Sequence, residues 1–186
     1  SMEGKNLAEL CIERNLEPSP YNAAIVVFEI IKGGGATAVY HAINSDDVDR
    51  IMQHPMTSIA SDGPITVFGV GSPHPRTYGT FARVLGRYVR DRNILSLEEA
   101  IRKMTSLPAN ILSIDRRGLI KEGYYADISI FDPATIIDKA TFEEPHQYAE
   151  GINSVIVNGK IVVENGAHNG NRPGKVLRGP GYKPNK

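Results

Sequence analysis

Ala36-Thr-Ala-Val-Tyr-His-Ala-Ile43, then Ser45-Asp-Asp-Val-Asp-Arg-Ile-Met-Gln53, then Thr57-Ser-Ile-Ala-Ser61-Asp62-Gly63 follow one another in the chain, and their reading decides the fold. The first piece reads as a buried strand, with Val39 and Ile43 set among small residues. The second opens on Ser45, a good N-cap, with acidic residues in the first turn where the helix dipole favours negative charge. The third is a short strand closed by Asp62-Gly63. Strand, helix and strand at this spacing are what a parallel α/β barrel or a doubly wound sheet produces.

Upstream, Leu7, Leu10, Cys11 and Arg14 lie at helical spacing. Pro18-Ser19-Pro20 punctuates the chain, a helix runs from Tyr21 to Lys32, and Gly33-Gly34-Gly35 stops it. Downstream, Tyr78 to Arg92 carries a helical apolar stripe of Phe81, Val84, Leu85, Tyr88 and Val89. Ser96 and Glu99 have the spacing of a capping box, predicting a helix to about Ser106, before Pro108. The character then changes to β. Ala126 to Phe131 alternates at Ile128 and Ile130, and Ile152–Val157 and Lys160–Val163 flank Asn158-Gly159, the strongest short hairpin signal. From Gly166 onward Gly, Pro, Asn and Lys dominate, predicting an extended or partly mobile tail.

Composition narrows the classes. The 186 residues, 41% apolar and 23% charged, suit one ordinary globular domain or a large piece of a bigger one. Lys plus Arg number 21 and Asp plus Glu number 21, so no broad basic field is expected to hold nucleic acid or an anionic membrane. The longest apolar run, Ala23 to Phe28, ends at Glu29 and is far too short to span a bilayer. No basic and apolar leader opens the chain, Ser1-Met2 reads as the scar of a tag, and the single Cys11 excludes an internal disulfide. A cytoplasmic protein is expected.

Few residues stand out for chemistry. Asp62 ends a predicted parallel strand, where barrel enzymes place catalytic groups, yet Asp-Gly after a strand is also an ordinary turn. Arg76 follows Ser72-Pro73-His74-Pro75, a loop stiffened by two prolines, and is either a two-pronged carboxylate grip or a surface arginine. His41, His54, His74, His146 and His168 are scattered, without His-x-His, and Cys11 reads as buried filler, so no metal site is legible. Gly33-Gly34-Gly35 lacks the spacing of a phosphate loop, and no Gly-x-Ser-x-Gly elbow occurs.

Several stretches together resemble a known family. Gly118 to Pro133 is similar to the segment by which amidohydrolase-superfamily chains leave their barrel for a small β-sandwich. The capped helix of Leu95 to Leu112 before it fits the same order, and Ile152 to Gly166 is similar to that superfamily's closing strands. His74-Pro-Arg-Thr-Tyr-Gly-Thr-Phe-Ala-Arg83, with Val84-Leu-Gly-Arg-Tyr88, and Thr141-Phe-Glu-Glu-Pro-His-Gln-Tyr148 resemble the D-aminoacylase (N-acyl-D-amino-acid deacylase) family.

The resemblance implies an α/β fold: the C-terminal part of a metal-dependent (β/α)8 barrel over residues 1–115, a β-sandwich segment over 116–170, and a Gly/Pro-rich tail over 171–186. It implies zinc-activated hydrolysis of small N-acyl-D-amino acids. Asp62 then matches the catalytic aspartate, with at most a weak or second-metal contact, and Arg76 matches the arginine that holds the substrate's α-carboxylate. The family's other metal ligands match nothing here and are expected in sequence preceding Ser1, so the chain alone is expected to bind no zinc and to be inactive. Lone barrel strands leave an uncovered apolar face, so a homo-oligomer or strand-exchanged dimer is expected. The alternatives are another amidohydrolase, dihydroorotase- or hydantoinase-like, and a non-catalytic module kept for assembly.

Overall fold

The computed structural model describes residues 2–183. Helices α1 (Leu7–Glu13) and α2 (Pro20–Lys32) come first. Asn6 and Glu9 cap α1 reciprocally, a capping box that the apolar spacing did not announce. Ser19 caps α2 with Pro20 in its first turn, and Gly33 receives its C-terminus. Leu10, Cys11 and Val26 bury each other between the two helices, so Cys11 is core filler, unpaired.

Helix α3 (Ser45–Gln53) is capped by Asn44, not by Ser45, because the Asn44 side chain accepts the Asp46 N–H at 2.8 Å. The flanking stretches correct a second expectation. Neither Ala36–Ile43 nor Thr57–Ser61 forms a β-ladder, and Val39, Tyr40 and Ile43 are exposed rather than buried. A parallel strand exists only through its neighbours, and among the described residues nothing pairs with either stretch.

The stripe after Arg76 is a single helical rod in two forms. Helix α4 (Arg76–Arg83) passes without a break into a π-helix (Val84–Asp91), wider than the regular helix expected there. Val84, Leu85 and Ala82 pack with Met52, Leu95, Ala100 and Ile136 as the main core. Helix α5 (Leu97–Met104) starts at Ser96, whose hydroxyl accepts the Glu99 N–H at 3.2 Å. The box stays half-made because the Glu99 carboxylate turns to Arg102. Helix α5 ends at Met104, close to the expected stop near Ser106. The chain breaks at Thr105 and restarts as α6 (Ser106–Ile111), with Pro108 in the first turn, where it costs no hydrogen bond.

Four strands, β1 (Ile128–Phe131), β2 (Ile152–Val157), β3 (Lys160–Glu164) and β4 (Ala167–His168), form one antiparallel sheet in chain order. Asn158 at φ 47° and Gly159 at φ 76° turn β2 into β3, both central residues left-handed as a primed turn requires. The rest of the tail after β4 has no strand or helix up to residue 183, and residues 184–186 lie outside the described residues.

The sheet is tied to the helices through the segment Asp132–Lys139. Asp138 is 4% exposed, and Arg83 (2.9 Å) and Arg87 (2.7 Å) both donate to its carboxylate. Burial works against the Arg83 charge, but the hydrogen bond and charge of Asp138 outweigh it and raise the Arg83 pKa. Arg90 reaches the Ile136 carbonyl at 2.7 Å. Backbone can come this close because the rod's face is Gly79, Ala82 and Gly86. A Cβ on Gly86 would stand 2.5 Å from the Ile136 carbonyl oxygen and 2.6 Å from Ile137 Cδ1.

Gly86→Ala is therefore expected to destabilise the fold despite alanine's better helix propensity, worth about 1 kcal/mol. Overpacking against backbone costs about 1–3 kcal/mol. A net loss should appear as a lower urea midpoint with an unchanged slope, and an unchanged or higher midpoint would show that the segment yields freely.

Candidate active site

The approach to Asp62 is built from α5. Lys103 is fully buried, and its ammonium donates to the carbonyls of His54 and Thr57 (3.1 Å) while lying 3.5 Å from the Glu99 carboxylate. Its own carbonyl accepts the Ile59 N–H at 3.0 Å, and Arg102 donates to the Pro55 carbonyl at 2.6 Å. The hydrogen bond from Arg102 holds the Glu99 carboxyl at about 2, against the opposing effect of burial. A buried ammonium needs such acceptors, and in taking them it fixes the chain from His54 to Ile59.

Asp62 follows in the left-handed region, at φ 48°, which aspartate tolerates in turns. Its carboxylate is 84% exposed and meets the Arg76 guanidinium at 2.9 Å, while Arg76 Nε donates to the Asp62 carbonyl at 3.0 Å. The two residues singled out from sequence are thus in direct contact. Gly63 lets the chain close here, since a Cβ would lie 2.9 Å from Thr77 Cα.

His74 sets the start of α4. Its Nδ1 accepts the Arg76 N–H at 3.0 Å, satisfying one of the free donors of the first turn. Burial first, then the positive charge of Arg76 and the neighbouring His41, push the His74 pKa down, which keeps the acceptor nitrogen unprotonated. The histidines that look scattered in sequence converge in part. His41 and His74 both stand edge-on to Phe142, with ring centroids at 4.4 and 5.1 Å.

Sequence reading missed Lys103, Tyr78 and His146. Tyr78 is a helical residue in the sequence, and its hydroxyl lies 2.9 Å from His146 Nδ1. The signal was present in the Thr141–Tyr148 stretch, which carried a resemblance without a role.

The chemistry of the donor set is limited. Among the described residues no three His, Cys, Asp or Glu side chains converge as metal ligands. Asp62 offers one carboxylate, already engaged by Arg76. These residues do not by themselves make a zinc site, which needs three or four placed ligands. No helix among the described residues is long and apolar enough to cross a membrane.

Comparison with known proteins gives the family. A profile described as "Amidohydrolase family" matches residues 31–163, and the chain belongs to that family. Within it, the chain is 46% identical over 143 residues to an N-acyl-D-aspartate deacylase of Alcaligenes xylosoxydans xylosoxydans, spanning 76% of this chain and 28% of that protein. It is 43% identical over 176 residues to the D-aminoacylase of the same organism, spanning 95% and 34%. The N-acyl-D-glutamate deacylase of Bordetella bronchiseptica, solved with zinc and a phosphonate inhibitor, superposes with a TM-score of 0.73 at 37% identity, over 85% of this chain and 31% of that one. The chain therefore spans about a third of the length of the proteins it matches.

Proposed function

We propose that this chain carries the proton-shuttling and carboxylate-reading groups of an enzyme that hydrolyses N-acyl-D-amino acids to a carboxylate and a free D-amino acid. The observation that carries the reading is the Asp62–Arg76 contact, closed at Gly63 and preceded by a stretch that Lys103 anchors at Thr57. It brings together a carboxylate base and a planar guanidinium, the two groups by which a substrate bearing both an amide and an α-carboxylate would be handled. Likeness to three deacylases of D-amino acids supports the substrate class.

In this reading residues 1–115 belong to a (β/α)8 barrel and 116–170 to a β-sandwich, with 171–186 as a tail. The bare stretches Ala36–Ile43 and Thr57–Ser61 are barrel strands that take their ladders from polypeptide outside these residues. Asp62 removes a proton from the attacking water and returns it to the leaving nitrogen, which must be protonated to depart as an amine. Arg76 grips the α-carboxylate and so sets which face of Cα is presented to attack. Among the described residues there is no full ligand set for the zinc seen in the Bordetella enzyme, and Asp62 would make at most a weak or second-metal contact.

The 186-residue chain by itself is accordingly expected to bind no stoichiometric zinc after dialysis and to leave N-acetyl-D-methionine intact. Retained zinc together with turnover would overturn the reading of an incomplete site.

In a polypeptide of the relatives' length that includes these residues, Asp62→Asn should cut turnover by about 10²–10⁴-fold while leaving the fold and substrate affinity nearly intact. An Asn variant with ordinary kcat would reduce Asp62 to a turn residue.

In the same polypeptide, Arg76→Lys should lower kcat/KM by roughly ten- to a hundredfold, about 1.5–3 kcal/mol, for substrates with a free α-carboxylate. The parent should discriminate strongly against substrates whose carboxylate is amidated, and the lysine variant much less. Equal treatment of acid and amide by both proteins would show that Arg76 reads no carboxylate.

A further inference from the structure

The stretch Thr141–Tyr148 supplies none of the groups used above, yet its His146 holds the loop that joins Asp62 to Arg76. The Gly69 N–H donates to His146 Nδ1 at 3.1 Å, and His146 Nε2 lies 2.8 Å from the Gly71 carbonyl. An amide N–H only donates and a carbonyl only accepts, so these contacts call for Nδ1 as acceptor and Nε2 as the N–H donor. The Tyr78 hydroxyl lies 2.9 Å from the same Nδ1 and 3.2 Å from Thr66 Oγ1 on the same loop. Phe68 of the loop stacks on Tyr148 at 4.9 Å and stands edge-on to His146 at 5.5 Å. The loop is thus closed at its mouth by Gly63 against Thr77 and by Asp62 against Arg76. Its far part is pinned by one histidine that satisfies an N–H and a C=O of the loop backbone. Tyr78, in the first turn of α4 two residues beyond Arg76, joins the pin to the helix that carries the guanidinium.

We infer that His146 is a positioning residue for substrate binding. It fixes the Pro64–Pro75 loop and, through Tyr78, the orientation in which Arg76 meets the substrate's α-carboxylate. The inference rests on the reading of Arg76 given above. A surface loop released from this side-chain pin to its backbone gains conformational freedom at the residues next to the binding group, and that freedom must be lost again when substrate binds. The loss therefore falls on KM rather than on kcat.

The test has two independent readouts. In the 186-residue chain, nitrogen NMR of His146 should report the Nε2–H tautomer, and the Gly69 amide should be protected from hydrogen exchange. His146→Ala should abolish that protection. His146→Asn should restore it, because Oδ1 falls where Nδ1 stood and accepts the same N–H. In the longer active polypeptide, His146→Ala should raise KM about tenfold with kcat nearly unchanged, the loss of one to two hydrogen bonds, and Asn should recover most of it. If the alanine variant fails to fold, Tyr78→Phe removes one hydroxyl alone and should raise KM in the same direction. An unchanged Gly69 exchange rate in the alanine variant would overturn the pin. An unchanged KM with Gly69 exposed, a fall in kcat alone, or no rescue by Asn would overturn the positioning role. Arg76→Lys separates the two readings. In that background His146→Ala should add little to KM, since the group it orients is already damaged. An Arg76→Lys variant with ordinary KM would instead sink the carboxylate reading, while the exchange result at Gly69 stands unaffected.

Discussion

The carboxylate of Asp138, buried to 4% exposure between Arg83 and Arg87, sets the terms on which the helices and the sheet meet. Withdrawing such a group from water costs several kcal/mol, and only well-placed cations offset it. Both cations come from one rod, four residues apart, so the rod's orientation toward the Asp132–Lys139 segment is fixed. The same face must be small at Gly79, Ala82 and Gly86, because the segment lies against it at backbone distance. Strand β1 ends at Phe131, directly before that segment, and β2 begins at Ile152, next to the Ile137–Glu150 bridge. The placement of the sheet against the rod thus follows from one ion cluster.

What the sequence discloses divides along the range of the interactions involved. Helices α1 to α3, the rod and the Asn158-Gly159 hairpin rest on contacts within a few residues, and each stands within a residue or two of its expected place. Ser45 and Asn44 are neighbouring cap residues, and the shorter reach of Asn44 to Asp46 decided between them. Pro108 marks a helix start as readily as a stop, and the Thr105 break shows which applies. Ala36–Ile43 and Thr57–Ser61 have strand-like composition but no ladder, because a parallel strand is a property of its neighbours. The Arg83, Arg87 and Arg90 spacing lies in plain view along one helical face. It passed unnoticed because charges on a helix are usually read as its solvated side.

The site was legible in its parts and not in its assembly. Asp62 and Arg76 each had an ordinary alternative, and their contact spans a loop whose closure depends on Gly63 having no side chain. His146 lies far along the chain from Gly69 and Tyr78, and no local pattern joins them. Lys103 was hidden differently. It belongs to an amphipathic helix as any lysine does, and only its burial shows that its ammonium is spent on the backbone leading to Asp62.

The Asp62–Arg76 pair also bears on how the proposed reaction would begin. Both side chains are well exposed, and exposed ion pairs contribute only about 0–1 kcal/mol, so an incoming carboxylate displaces Asp62 from the guanidinium at little cost. Arg76 need not move to accept it. Its Nε would stay on the Asp62 carbonyl, while the Nη2 that now faces Asp62 Oδ2 would be left free for the substrate. In that reading the exchange would release the Asp62 carboxylate when a substrate is in place, and only for ligands that carry a negative group. A guanidinium anchored by its backbone contact is therefore what would make the arrival of an α-carboxylate and the freeing of the base a single event.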